Sequence, residues 1–350
     1  MGSPASDRIF FHGRWAAGGD HNPRYTQLLP RLERLDPFLI GVSQRWPIRG
    51  VQARLLTATA RKRYRVVFAA ANRKYRWMLT TDHRQITHFD GRVVADVDDP
   101  RFSPEEVGLL NRPNVGAYVV TTEGARDRFQ GLGVKTPGYV ISQGADLDSV
   151  DGDEVARIAE RHRRPGEVVV GYLARWLLAD PQGKGGHPVD GIQHLLELWE
   201  RIRARVPAAR LWLIGEPDAA AREICASRPD LLLLGRIPQG SVLSYVANFD
   251  IALYPRRVDH APMPVKLAEY IALGVPTVSY DLGLAQVLSE TGAGCLAETP
   301  DDFAAEVKRL SLDEAERERM SQAGRRLAPA LDWGRLAARY QGEVLDRHLR

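Results

Sequence analysis

Residues 261–281 read APMPVKLAEYIALGVPTVSYD. The stretch spells helix, stop, strand. A helix is predicted from Val265. Gly274 supplies the residue that closes it, and Pro276 prevents its resumption. The run PTVSYD (276–281) then has the β-branched and aromatic content of a short buried strand. Lys266 and Glu269 are the only charges before Asp281, one helical turn apart. As a surface ion pair they would contribute a few tenths of a kcal/mol. Glu269, however, stands inside LAEYIAL, where burial without a partner is costly. The pair therefore reads as two polar groups converging on one ligand.

Working outward, short apolar runs alternate with amphipathic helical stretches. Strands are predicted at 168–173 (VVVGYL), 210–215, 231–235, 250–255, 276–281 and 294–298, with helices such as 192–206 between them. The first half shows the same alternation less cleanly, at 8–13, 38–42, 92–97, 117–122 and 138–144. Strand–helix alternation implies parallel βαβ units, hence an α/β fold with doubly wound sheets. The charged stretch from Asp151 to Glu167 reads as a connector. The expected architecture is two Rossmann-like domains facing across a cleft: 1–147 with a returning C-terminal helix 333–350, a linker 148–167, and 168–332. Ligands in such sheets lie outside the carboxyl ends of the strands, where the strand order reverses.

Composition narrows the class. The 350 residues are 44% apolar and 26% charged, which suits a globular chain of two domains. No apolar run reaches the roughly 18 residues of a membrane-spanning helix. The N-terminus lacks the pattern of a signal peptide. Cys225 and Cys295 are the only cysteines, so neither a disulfide framework nor a cysteine-based zinc site is expected. A cytoplasmic protein is the default expectation.

Several loops carry chemistry. Arg175 is expected just past the first strand of the second half, and Lys184 lies in the glycine-rich loop GKGG. Two cations beside a helix N-terminus suit a diphosphate. Backbone groups of Met263, Pro264, Val265 and Lys266 would face the same anion. Glu269, one turn deeper, could accept from ribose hydroxyls, and the turn at Gly235–Pro238, with Arg236 and Ile237, could hold a planar base. In GGDHNPR (18–24), Asp20 and His21 could activate an acceptor hydroxyl, although Asn22 and Pro23 also read as a helix start. The D-x-D in DVDD (96–99) could hold a divalent cation, but it also reads as a strand end before Pro100, and no metal is expected.

The order GYLAR, GKGG, LWLIGEP, LLLLGRIP, DIALYP, PVKLAEYIALGVPTVS, GAGCLAE resembles the nucleotide-binding half of GT-B glycosyltransferases, family 4 in particular, over about residues 166–310. The resemblance implies transfer of a sugar from a nucleoside-diphosphate sugar to an acceptor hydroxyl, with retention and without metal. It further implies Arg175 and Lys184 on the donor diphosphate and Glu269 on the ribose. AAGGDHNPRYTQLLPRL resembles the family's glycine loop, placing Gly18 and Gly19 at substrate, and the position of His88 (or His83) is one where the family often contacts acceptor or sugar. Trp333 resembles the start of the helix returning to the first domain. The first Glu of the family's E-x7-E motif falls on Ala261, leaving Asp259 or His260 as stand-ins on the donor sugar. Rival expectations are an inverting transferase using Asp20 or His21 as base, a nucleoside-diphosphate-sugar 2-epimerase, and a non-catalytic scaffold. The acceptor could be a glycan, a lipid-linked molecule or a small molecule.

Residues 51–81 carry eight Lys and Arg and no acidic residue, interleaved with apolar and aromatic residues. That mixture is expected to bind an anionic membrane surface at its inner face, or to be a half-buried helix and strand with a basic face. No nucleic-acid partner is expected, because no recognised module accompanies it.

Overall fold

A computed structural model of the chain describes residues 6–12, 23–36, 68–179, 192–257 and 263–350. The chain forms two compact units, 1–143 with 333–350, and 144–332.

The first unit is a six-stranded parallel sheet in the order β2-β1-β3-β4-β5-β6. Its strands are β1 Ser6–His12, β2 Leu35–Asp36, β3 Tyr75–Thr80, β4 Arg92–Asp96, β5 Val115–Val120 and β6 Gly138–Val140. All six residues of β5 are buried, as expected for a parallel strand covered on both faces. One layer over the sheet is the C-terminal segment. The helix Trp333–Arg339 and the π-helical turn Tyr340–Leu345 bring Trp333, Leu336, Tyr340 and Val344 against Ile9, Phe11, Val94 and Val119.

Strand β3 bears out, over its own residues, the half-buried strand with a basic face that was one of the two readings of 51–81. Phe68, Tyr75, Trp77, Met78 and Leu79 are buried, with Met78 and Leu79 at 0% exposure. Arg73, Lys74 and Arg76 are exposed around them. A central parallel strand needs apolar residues on both faces, so these side chains form core instead of facing lipid. Residues 51–67 of that stretch, including Arg61, Lys62, Arg63 and Arg65, lie outside the described residues, as does the strand expected at 38–42.

The second unit holds β7 Val168–Leu177, β8 Ala209–Pro217, β9 Leu231–Gly235, β10 Ile251–Tyr254, β11 Thr277–Tyr280 and β12 Gly294–Ala297. Their order is β12-β11-β10-β7-β8-β9, all parallel. The order reverses between β7 and β10, which defines the crevice where such sheets bind ligands. The unit begins at Gly144, and the charged stretch expected as a connector contains a helix, Gly152–His162. Asp151 caps it by accepting from Asp153 N at 2.9 Å. Its Ile158 packs with Trp212 and Tyr270, so the charges belong to the outer face of an amphipathic helix.

Candidate functional site

The helix Val265–Leu273 follows β10, the strand on one side of the switch point. It ends as the sequence dictates. Gly274 has φ 72°, and a side chain there would meet the Ser321 carbonyl at 2.7 Å. The helix is locked to β7 by Tyr270, whose hydroxyl accepts from Leu173 N at 2.8 Å. Its start has no side-chain cap.

That lock fixes the two charges from the opening stretch. Lys266 Nζ lies 4.8 Å from the centre of the Tyr172 ring on β7, a cation–π contact. Glu269 is 5% exposed and has no hydrogen-bond partner among the described residues. Burial pushes its carboxyl up to about 7, against the opposing pull of Lys266. Among the described residues the Glu269 carboxyl is thus nearly buried and without a hydrogen-bond partner, beside a cation at the switch point, an arrangement that is costly unless something else answers it.

Arg175 lies within β7 instead of just past it, since the strand runs on to Leu177. The ladder with β8 steps from Leu173↔Ile214 to Trp176↔Glu216, so β7 carries one extra residue there. Such a bulge re-aims side chains. The exposed Arg175 guanidinium sits 5.5 Å from the Trp176 ring centre. Gly215, with φ 150°, allows the bulge, because a Cβ would come 2.4 Å from the Ala174 carbonyl oxygen.

The other expected residues separate. Arg236 is exposed and Ile237 half-buried, following Gly235 at φ 71°. The Met263 side chain is core, packed with Leu267, Ile271 and Leu288, so only its backbone is available to a ligand. Pro264 and Val265 are half-buried at the helix start. His88 is exposed in the first unit, its ring 5.7 Å from that of Phe68. His83 is paired with Glu106 at 3.0 Å. Gly18, Gly19, Asp20, His21, Lys184, Asp259, His260 and Ala261 lie outside the described residues.

The D-x-D carboxylates are engaged within the first unit. Arg24, fully buried, bonds Asp96 through Nε and Nη2 at 3.1 and 2.9 Å and donates to the carbonyls of Ile141 and Ser142. Burial disfavours its charge, yet Asp96, with help from Asp98, lifts the guanidinium above its ordinary value. Asp98 accepts from Gln143 Nε2 at 2.5 Å, and burial pushes its carboxyl up to about 6. Sequence reasoning missed Arg24 and Tyr172. A lone Arg in NPRY and an alternating Tyr in VVVGYLAR were the only signals.

Residues 183–313 match the family described as Glycosyl transferases group 1. That match lies within the second unit, and the chain has the GT-B fold of the solved structures it is similar to. Among solved structures, the Anabaena protein HepE in complex with UDP-glucose is similar with TM-score 0.70 and 14% identity, over 97% of this chain and 99% of that one. Sucrose-phosphate synthase from Thermosynechococcus elongatus matches with TM-score 0.66 and 17% identity, over 87% and 82%. At these identities the likeness is one of fold. A curated relative named diaminopimelate epimerase, from Pseudomonas syringae, is 26% identical over 152 residues, 43% of this chain. The match spans about half the length of that relative (49%).

Proposed function

We propose that the chain is a glycosyltransferase that takes a sugar from a nucleoside-diphosphate sugar and passes it to an acceptor hydroxyl. Glu269 carries this reading: an almost buried carboxyl, unpartnered among the described residues, one turn from Lys266 at the switch point of the second sheet. Ribose hydroxyls are the donors that such a carboxyl fits. Lys266, Arg175 and the uncapped helix start supply positive potential for the departing diphosphate, and Lys184 is assigned the same role from its loop. Charge placed where the leaving group develops its own lowers the barrier directly. The GT-B neighbour HepE, solved with UDP-glucose, supports the donor class.

The diphosphate is neutralised by side chains and not by metal in this proposal. Asp96 is bound to Arg24, and Asp98 to Gln143, which supports the strand-end reading of D-x-D. Release of UDP from UDP-glucose, with GDP-, ADP- and TDP-glucose in parallel, tests both statements. Turnover of one donor that persists in EDTA is expected. Loss in EDTA with recovery on adding Mn²⁺ would place the diphosphate on a cation.

A further inference from the structure

Strands β7 and β10 separate at the switch point of the second unit. Their register pairs are Ile251↔Val170 and Ala252↔Gly171, and the ladder stops there. Each strand runs on along its other edge, β7 with β8 to Leu177↔Pro217 and β10 with β11 to Tyr254↔Ser279. Val169 marks the edge of β7 that faces β10. Its N–H donates to Asp250 Oδ2 at 2.7 Å, and its carbonyl accepts from Asp250 N at 2.9 Å. Backbone groups point to the same edge at every second residue, so Gly171 and Leu173 present theirs toward β10 as well. Leu173 N is therefore the first donor on that edge beyond the last strand pair.

Tyr270 takes the place of the missing strand partner. Its hydroxyl accepts from Leu173 N at 2.8 Å, and the direction is fixed because a backbone N–H only donates. The side chain is 0% exposed and packs in one cluster with Ile158, Trp212, Phe249 and Val275. It is a crossbar from the helix Val265–Leu273 to β7, placed where the crevice opens. Tyr270 directly follows Glu269 and lies about one turn after Lys266. The helix has nine residues and no side-chain cap at its start, so its depth depends on such ties.

We propose that Tyr270 is a positioning residue of the nucleotide site: its phenol, standing in for the missing strand pair, sets how far into the crevice Glu269 and Lys266 are carried. The proposal rests on the glycosyl-transfer reading, in which Glu269 meets the ribose.

Calorimetric titration of UDP, GDP, ADP and TDP into the wild-type chain, Tyr270→Phe, Glu269→Ala and the double variant tests this. Tyr270→Phe keeps the packed ring and removes the acceptor. It should weaken binding of the preferred nucleotide by about threefold to tenfold, the scale of one hydrogen bond. In the Glu269→Ala background the same substitution should cost less than about twofold, because the group it positions is gone. A folded Tyr270→Phe variant with wild-type affinity would overturn the proposal, and so would an equal loss in both backgrounds. Should Tyr270→Phe fail to fold, the ¹⁵N–¹H signal of Leu173 decides. On saturation with nucleotide it should shift in the wild-type protein and shift far less in Glu269→Ala. Equal shifts, or none, would overturn the proposal. A wild-type protein that binds none of the four nucleotides would instead sink the glycosyl-transfer reading.

Discussion

Glu269 is placed where it harms the free protein. Its carboxyl titrates at about 7 instead of the ordinary 4.5 because burial penalises the charged form. The folded state therefore holds a proton that the unfolded chain releases between those values. Stability from this group is fully present below about 4.5 and is lost as pH rises to about 7. Replacing Glu269 with Gln removes the ionisation, and at pH 8 the variant should be more stable than the parent by on the order of 3 kcal/mol. Below pH 4.5 the difference should vanish. Urea unfolding at both pH values measures this. Equal stabilities at pH 8 would mean that the carboxylate is satisfied in the folded protein. A stabilising substitution at Glu269 is the signature expected if the residue is retained for function and not for stability.

Within the first unit, Arg24 ties the segment after β1 to the ends of β4 and β6 through Asp96 and the carbonyls of Ile141 and Ser142. Removing one member of a buried ion pair strands the other, at a cost of about 3–5 kcal/mol. Arg24→Met and Asp96→Leu should each destabilise to that extent, and the double variant should recover much of the loss. A double-mutant cycle by denaturant unfolding isolates the coupling. Additive losses would mean that the pair is not the tie. This element also shows why part of the fold was illegible. DVDD is a strand end either as a metal motif or as a partner for Arg24, and nothing local distinguishes the two. Likewise YRWMLT, set among exposed cations, has the composition of a membrane-facing surface, yet it is a central strand because β1 and β4 cover both its edges.

Across the whole chain, the second unit was the more legible. Its strands are short apolar runs punctuated by Gly, Pro and Asp, and all six lie where they were expected, with ends shifted by up to four residues. The shift at β7 matters most, because the bulge that carries Arg175 depends on Gly215 in another strand and cannot be read locally. The burial of Glu269 was legible for the opposite reason: a lone carboxylate in an apolar helix is carried into the core by its neighbours. Tyr172 and Arg24 became visible only through partners distant in sequence. The central claim, that the switch point between β7 and β10 holds a nucleoside diphosphate through Glu269, is tested most directly by calorimetric titration. UDP, GDP, ADP and TDP would be titrated into the wild-type protein and into Glu269→Ala. One nucleotide should bind at a single site, and the variant should lose about 1.5–3 kcal/mol of that binding, roughly a tenfold to hundredfold weakening. Binding of none of the four, or equal affinity in a folded Glu269→Ala variant, would contradict the account.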